Sequence, residues 1–127
     1  MVSKTLGWAL IGTLILAGQV APAYSASPPR RVGECVETRV KTVENRLENT
    51  PGSGSAITFV NGGAQVSYDQ VPEVDRSRPG DRVTMCLVSI PKDCPPGDRR
   101  GRQYRTINRR TGQSWTLPDA EHMCGGA

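Results

Sequence analysis

Six arginines fall within twelve residues: Arg99, Arg100, Arg102, Arg105, Arg109 and Arg110, with no acidic residue among them. A guanidinium group is a planar fork that binds carboxylate or phosphate through paired hydrogen bonds. Residues of this type at this density are suited to holding an anion. Tyr104 and Trp115 lie close by in sequence and would add flat aromatic faces to the same surface. Asp93, Asp98 and Asp119 flank the run and weaken its field. The plainer reading of the same arginines is a solvated face that keeps the chain soluble.

Signals for catalysis are weaker. The single histidine, His122, stands beside Met123 and Cys124 near the C-terminus. A Cys–His nucleophile needs a free thiol, and the four cysteines (Cys35, Cys86, Cys94 and Cys124) form an even set. No Gly-x-Ser-x-Gly surrounds any serine. No Cys-x-x-Cys spacing supports a metal site. Gly52-Ser53-Gly54-Ser55 could cradle an anion with its amides, yet it matches neither a P-loop nor a dinucleotide fingerprint. No catalytic residue, cofactor or metal is expected.

How the cysteines behave depends on where the chain goes. Lys4 precedes an uncharged apolar run over 6–18, then Pro22 and small residues follow. That is the layout of a signal peptide, with Ala23 and Ser25 placed for a cut before Ala26. The run is about 13 residues long, whereas a bilayer span needs roughly 20. Residues 1–25 are therefore expected to be removed, leaving no membrane span, and Gln19 stands where a lipid anchor would need Cys. The expected destination is the periplasm or the outside of a bacterium. In that oxidising setting an even cysteine count reads as two disulfides. Three pairings are open from sequence; Cys35–Cys86 with Cys94–Cys124 is the expected one. Export also makes nucleic acid an unlikely partner for the arginines.

What remains is one small domain with a charge of about +3. Residues 26–34 read as a flexible lead-in and 35–127 as the domain. Residues 35–47 carry valines at helical spacing but many β-branched side chains, which favours a strand bulged near Thr42-Val43. Residues 57–68 read as a hairpin around a two-residue type I′ turn at Asn61-Gly62, pairing Ile57 with Val66. Residues 82–90 read as a central strand covered on both faces. Residues 91–102 form a long loop, and 103–117 a second hairpin with a three-residue loop, Arg110-Thr111-Gly112, setting Ile107 opposite Trp115. The tail, 118–127, reads as irregular and held by Cys124. Five or six short strands predict an all-β fold: a small antiparallel β-barrel, SH3-like as first choice and OB-like as second.

The stretch CLVSIPKDCPPGDRRGRQY at 86–104, with RTGQSW at 110–115 and HMCGGA at 122–127, resembles small exported proteins of α-proteobacteria. The resemblance covers roughly 35–127. It implies export and a shared fold and brings no catalytic residue with it. Ser53-Gly54-Ser55 before a strand also echoes a loop of the periplasmic lysozyme inhibitors, an analogy of size, address and architecture. The expected function is a non-enzymatic exported binding module. Its arginines would face an anionic envelope lipid or glycan, or an acidic protein. The alternative is an inhibitor that inserts the loop 92–102 into a lysozyme or protease; a minor hydrolase ranks third.

Overall fold

A computed structural model describes residues 2–5, 7–18 and 27–126. Six strands form one antiparallel sheet: β1 (Cys35–Asn45), β2 (Ser55–Phe59), β3 (Ala64–Ser67), β4 (Arg82–Ser89), β5 (Gln103–Asn108) and β6 (Ser114–Pro118). One helical turn, α1 (Pro72–Asp75), lies between β3 and β4. The order across the sheet is β3-β2-β1-β4-β5-β6. β1 is long enough to serve both halves: its start pairs with β4 and its end with β2. Two three-stranded meanders thus share the β1–β4 seam, and the sheet rolls into a half-barrel in which β3 packs on β6. This is the small antiparallel all-β architecture expected, with α1 following β3 and β6 at one edge of the sheet.

The strand reading of 35–45 holds, and the structure explains the helical spacing of its valines. Val40 opposes Phe59 and Thr42 opposes Thr58, so Lys41 is the extra residue of a bulge. The bulge advances the alternation by one. Val40 and Val43 then face Phe59 and Ile57, two residues on the same side of β2.

The core consists of Val40, Ile57, Phe59, Val74, Val83, Met85, Leu87, Tyr104 and Trp115. β4 is central, as expected, but it is covered on one face only. Val83, Met85 and Leu87 point inward, while Arg82 and Val88 are exposed and Cys86 holds a disulfide. A half-barrel has one interior, so the apolar residues on the other face stay near water.

Both hairpin registers differ from expectation, and one residue accounts for the difference. The first hairpin has no type I′ turn. Phe59 N donates to Gly63 O (2.9 Å) and Gly62 N to Phe59 O (3.0 Å), closing a three-residue loop. Only Gly62 has positive φ there, +87°, as in a type I turn followed by a bulge. Asn61 instead accepts from Gly63 N through Oδ1 (2.9 Å). Ile57 therefore opposes Gln65 rather than Val66. Gln65 is carried inside, where its exposure is 1%. Its Oε1 accepts from Thr106 Oγ1 (2.6 Å) and Trp115 Nε1 (2.9 Å). Its Nε2 donates to Tyr104 O (2.7 Å) and Leu117 O (3.0 Å). The second hairpin follows suit. Its loop is Arg109-Arg110-Thr111-Gly112, with Gly112 left-handed at +72°. Trp115 opposes Thr106, not Ile107, so both reach Gln65. No backbone ladder joins β3 to β6; the Gln65 amide makes the join instead.

The loop before β2 shows a second unanticipated constraint. The amides of Gly52-Ser53-Gly54-Ser55 are not presented as an anion cradle: Ser53 N donates to Thr50 O and Gly54 N to Gln70 Oε1. Gly54 sits at φ +118°, and a Cβ there would overlap the Ser67 carbonyl. At Gly62 a Cβ would meet open space. Gly54→Ala should therefore lower stability by about 3 kcal/mol, against about 1 kcal/mol for Gly62→Ala. Equal shifts in urea midpoint for the two variants would contradict this packing.

Both expected disulfides are present. Cys35–Cys86 joins directly opposed residues of β1 and β4, and Cys94–Cys124 ties the loop 91–102 to the tail. Within the expected lead-in, Ser27 to Pro29 are at least partly buried and 30–34 are exposed. Pro29 is buried, Gly33 N donates to Leu87 O, and Leu87 N donates to Glu34 O. A turn over 31–34 carries the β1–β4 pairing one step past Cys35, and the Pro29 carbonyl accepts from the Tyr104 hydroxyl. The described part of the N-terminal apolar run stands apart from the core, with Trp8 at 92% and Leu10 at 99% exposure. The expected cut between Ser25 and Ala26 lies outside the described residues. Among the described residues no helix is long and apolar enough to cross a membrane. The two disulfides are consistent with an exported chain.

Candidate anion-binding cleft

The twelve-residue arginine run does not make one surface. β5 occupies its middle, and a strand rises about 3.3 Å per residue, so Arg102 and Arg109 lie roughly 20 Å apart along it. Alternation divides the rest. Arg105 faces outward, opposite Cys86 and Thr116. Tyr104 and Trp115 face inward at 4% and 6% exposure, so neither offers an aromatic platform to a partner. Both are anchors of the core, because the side of β5 that faces Gln65 is the inner side.

Two arginines are structural clamps. Arg110 grips Asp81 with Nε to Oδ1 (2.7 Å) and Nη2 to Oδ2 (3.0 Å), and also donates to Arg76 O. Asp81 Oδ2 further accepts from Asn108 Nδ2 (2.9 Å) and Arg78 N (2.8 Å). This fastens the tip of the second hairpin to the connector before β4. Burial pushes the Asp81 carboxyl upward, but the bonds from Arg110, Asn108 and Arg78 N outweigh it and bring its pKa from 3.8 to about 2. A carboxylate with a lowered folded pKa stabilises above the ordinary value and loses that contribution as pH falls towards the folded one. Arg110 is partly exposed, so screening limits the gain to on the order of 1 kcal/mol. Arg110→Gln should thus destabilise near pH 6, and the gap to the parent in thermal melts should shrink as pH falls through about 2; a gap independent of pH would contradict the clamp.

Arg100 does the same at the other end. It holds Asp98 with Nε to Oδ1 (3.0 Å) and Nη2 to Oδ2 (2.9 Å), and donates to Gly126 O (3.1 Å). Asp98 Oδ2 also accepts from Gly125 N, and Cys124 N donates to Arg100 O. The arginine lowers the Asp98 pKa well below the carboxylate range. The loop and the tail are thus joined by an ion pair as well as by Cys94–Cys124. This loop curls through positive φ at Asp93, Gly97 and Gly101, unlike the extended strand that a protease cleft accepts. His122 is exposed and makes no hydrogen bond among the described residues.

The remaining arginines are placed differently. Arg99 and Arg102 line a cleft of about 220 Å³ together with Arg30, Ser27, Pro28 and Pro29 from the N-terminal segment. Tyr104 and Asp119 complete it. Arg30, Arg99 and Arg102 form no ion pair among the described residues. Arg102 Nε is buried and has no hydrogen-bond partner among the described residues. The Tyr104 hydroxyl donates to Pro29 O (3.4 Å), and burial, then Asp119, pushes its pKa upward. Asp119 is held in place: Oδ1 accepts from Gly101 N (2.8 Å), and its own N donates to Arg102 O (3.0 Å). Burial raises the Asp119 carboxyl above its ordinary value despite those backbone bonds and nearby Arg102. Arg30 is the cleft residue that sequence reading missed. It lies some seventy positions from Arg99, in a segment expected to be loose, and only the packing of Pro29 signals its place.

Comparison with protein-family models, with curated proteins and with solved structures finds no match for this chain.

Proposed function

We propose that this chain is a non-enzymatic exported binding module that takes an anionic group of a bacterial envelope component. The observation that carries the proposal is the cleft in which Arg30, Arg99 and Arg102 meet with no ion pair among the described residues and with Asp119 as the one carboxylate in the lining. Guanidinium groups gathered on one concavity repel each other, and an incoming anion relieves that repulsion while satisfying their donors. Export puts such a cleft within reach of envelope lipids and glycans. Arg105, exposed on the outer face of β5, adds to the surrounding positive potential, while Arg109 lies at the far end of the strand.

The test is sedimentation of the protein with anionic and with neutral vesicles over rising salt. Binding to the anionic vesicles should fall steeply between about 0.05 and 0.5 M NaCl as the Debye length shrinks. Equal binding to neutral vesicles, or none to either vesicle or to soluble acidic glycan, would contradict the proposal.

A further inference from the structure

We infer that the cleft between residues 27–30 and 99–102 is a receptor for a phosphate monoester group. This rests on the anion-binding reading and names its site and ligand class.

The charge balance points to this class. Arg30, Arg99 and Arg102 bring three positive charges and Asp119 one negative, a net of two. A phosphate monoester carries about −1.5 to −2 near neutral pH and nearly cancels that, whereas a carboxylate or a phosphodiester cancels only half. Donor count points the same way. Three forks offer more N–H groups than the two oxygens of a carboxylate accept, and a monoester has three terminal oxygens. Arg102 is pre-positioned: its Nε is already desolvated and, among the described residues, unpartnered, and its backbone O is fixed by Asp119 N. The volume, about 220 Å³, admits one such group with its waters.

The rival concavity at the other end of β5 fits less well. It gathers Arg76, Arg78 and Arg110 with Asp75. There Arg110 is already held by Asp81 in two hydrogen bonds, and two carboxylates offset the three arginines.

Glycerol 3-phosphate, inorganic phosphate and acetate are the probes, titrated by calorimetry into the full mature protein. Vesicles of phosphatidic acid and of phosphatidylglycerol separate a lipid headgroup from a soluble ester. Glycerol 3-phosphate should bind, and Arg30→Gln and Arg99→Gln should each weaken it by about tenfold or more. Arg109→Gln, on the exposed hairpin tip, should leave it unchanged. Competition between glycerol 3-phosphate and phosphatidic acid vesicles assigns the natural source to lipid, and binding of the soluble ester alone assigns it to a soluble compound; both support the cleft. Acetate binding as tightly as glycerol 3-phosphate would overturn the ligand class. Equal weakening by Arg109→Gln would overturn the site. If the Arg30→Gln/Arg99→Gln double variant, still folded by its melt, keeps full salt-sensitive binding to anionic vesicles, this inference fails while the broader anion-binding reading stands.

Discussion

Gln65→Ala is expected to lower stability by about 4 kcal/mol, a large share of what a domain this size has. The change strands two buried side-chain groups at once: Thr106 Oγ1 and Trp115 Nε1 lose their acceptor. The carbonyls of Tyr104 and Leu117, paired across β5 and β6, each lose a further donor. Each unpaired buried group costs about 1–3 kcal/mol, and the void left by the side chain adds a cavity cost. The terms overlap, so their sum is an upper bound. Gln65→Leu separates the two contributions. It nearly restores the volume but none of the bonds, and should recover little. Urea denaturation of the three proteins checks this, and a leucine variant as stable as the parent would show that filling, not hydrogen bonding, is what position 65 supplies.

Removing the Cys35–Cys86 bridge by a double serine substitution should cost about 4 kcal/mol in the chain-entropy treatment, since it closes a separation of 51 residues. The bridge spans the β1–β4 seam, where the two meanders meet, so its loss loosens the whole barrel. Cys94–Cys124 closes 30 residues and should yield a similar loss on the same treatment. Its effect on unfolding should nevertheless be more local, because Arg100, Asp98 and Gly126 still tie that loop to the tail. Amide hydrogen exchange distinguishes the two. The first variant should lose protection across β1, β4 and β5, the second only around 91–101 and 119–126. Global loss in the second variant would contradict the view that its loop is a peripheral attachment.

Several elements were legible in the sequence because their signals are local. β-branched residues marked β1 in spite of its helical valine spacing. The left-handed Gly112 marked the second hairpin's turn, and an even cysteine set marked the bridges. The hairpin registers were not legible. Turn chemistry at Asn61-Gly62 and apolar alternation both favoured pairing Ile57 with Val66, and the fold instead turns Gln65 inward. What decides the register is bonding to Thr106, Trp115, Tyr104 and Leu117, forty to fifty residues away, and no local pattern carries that.

The candidate site was legible in part for the same reason. Arginine density is a compositional fact and was visible. Which arginines are tied down depends on Asp81 and Asp98, and only Asp98 lies beside the run. Tyr104 and Trp115 looked available because they sit among polar neighbours. On β5 the inward set is Tyr104, Thr106 and Asn108, more polar than an inner face usually is, and the outward set includes Ile107. The alternation therefore gave no warning that the aromatics were core residues. Arg30 was hidden by distance in sequence alone.

The most direct test of the account is a backbone-amide NMR shift map during titration with glycerol 3-phosphate. Saturable shifts should concentrate at the amides of Ser27, Arg30 and Arg31 and of 99–104 with Asp119, on one side of the molecule. Shifts centred instead on 76–78 and 109–112, or small linear drifts spread over every exposed arginine, would contradict it.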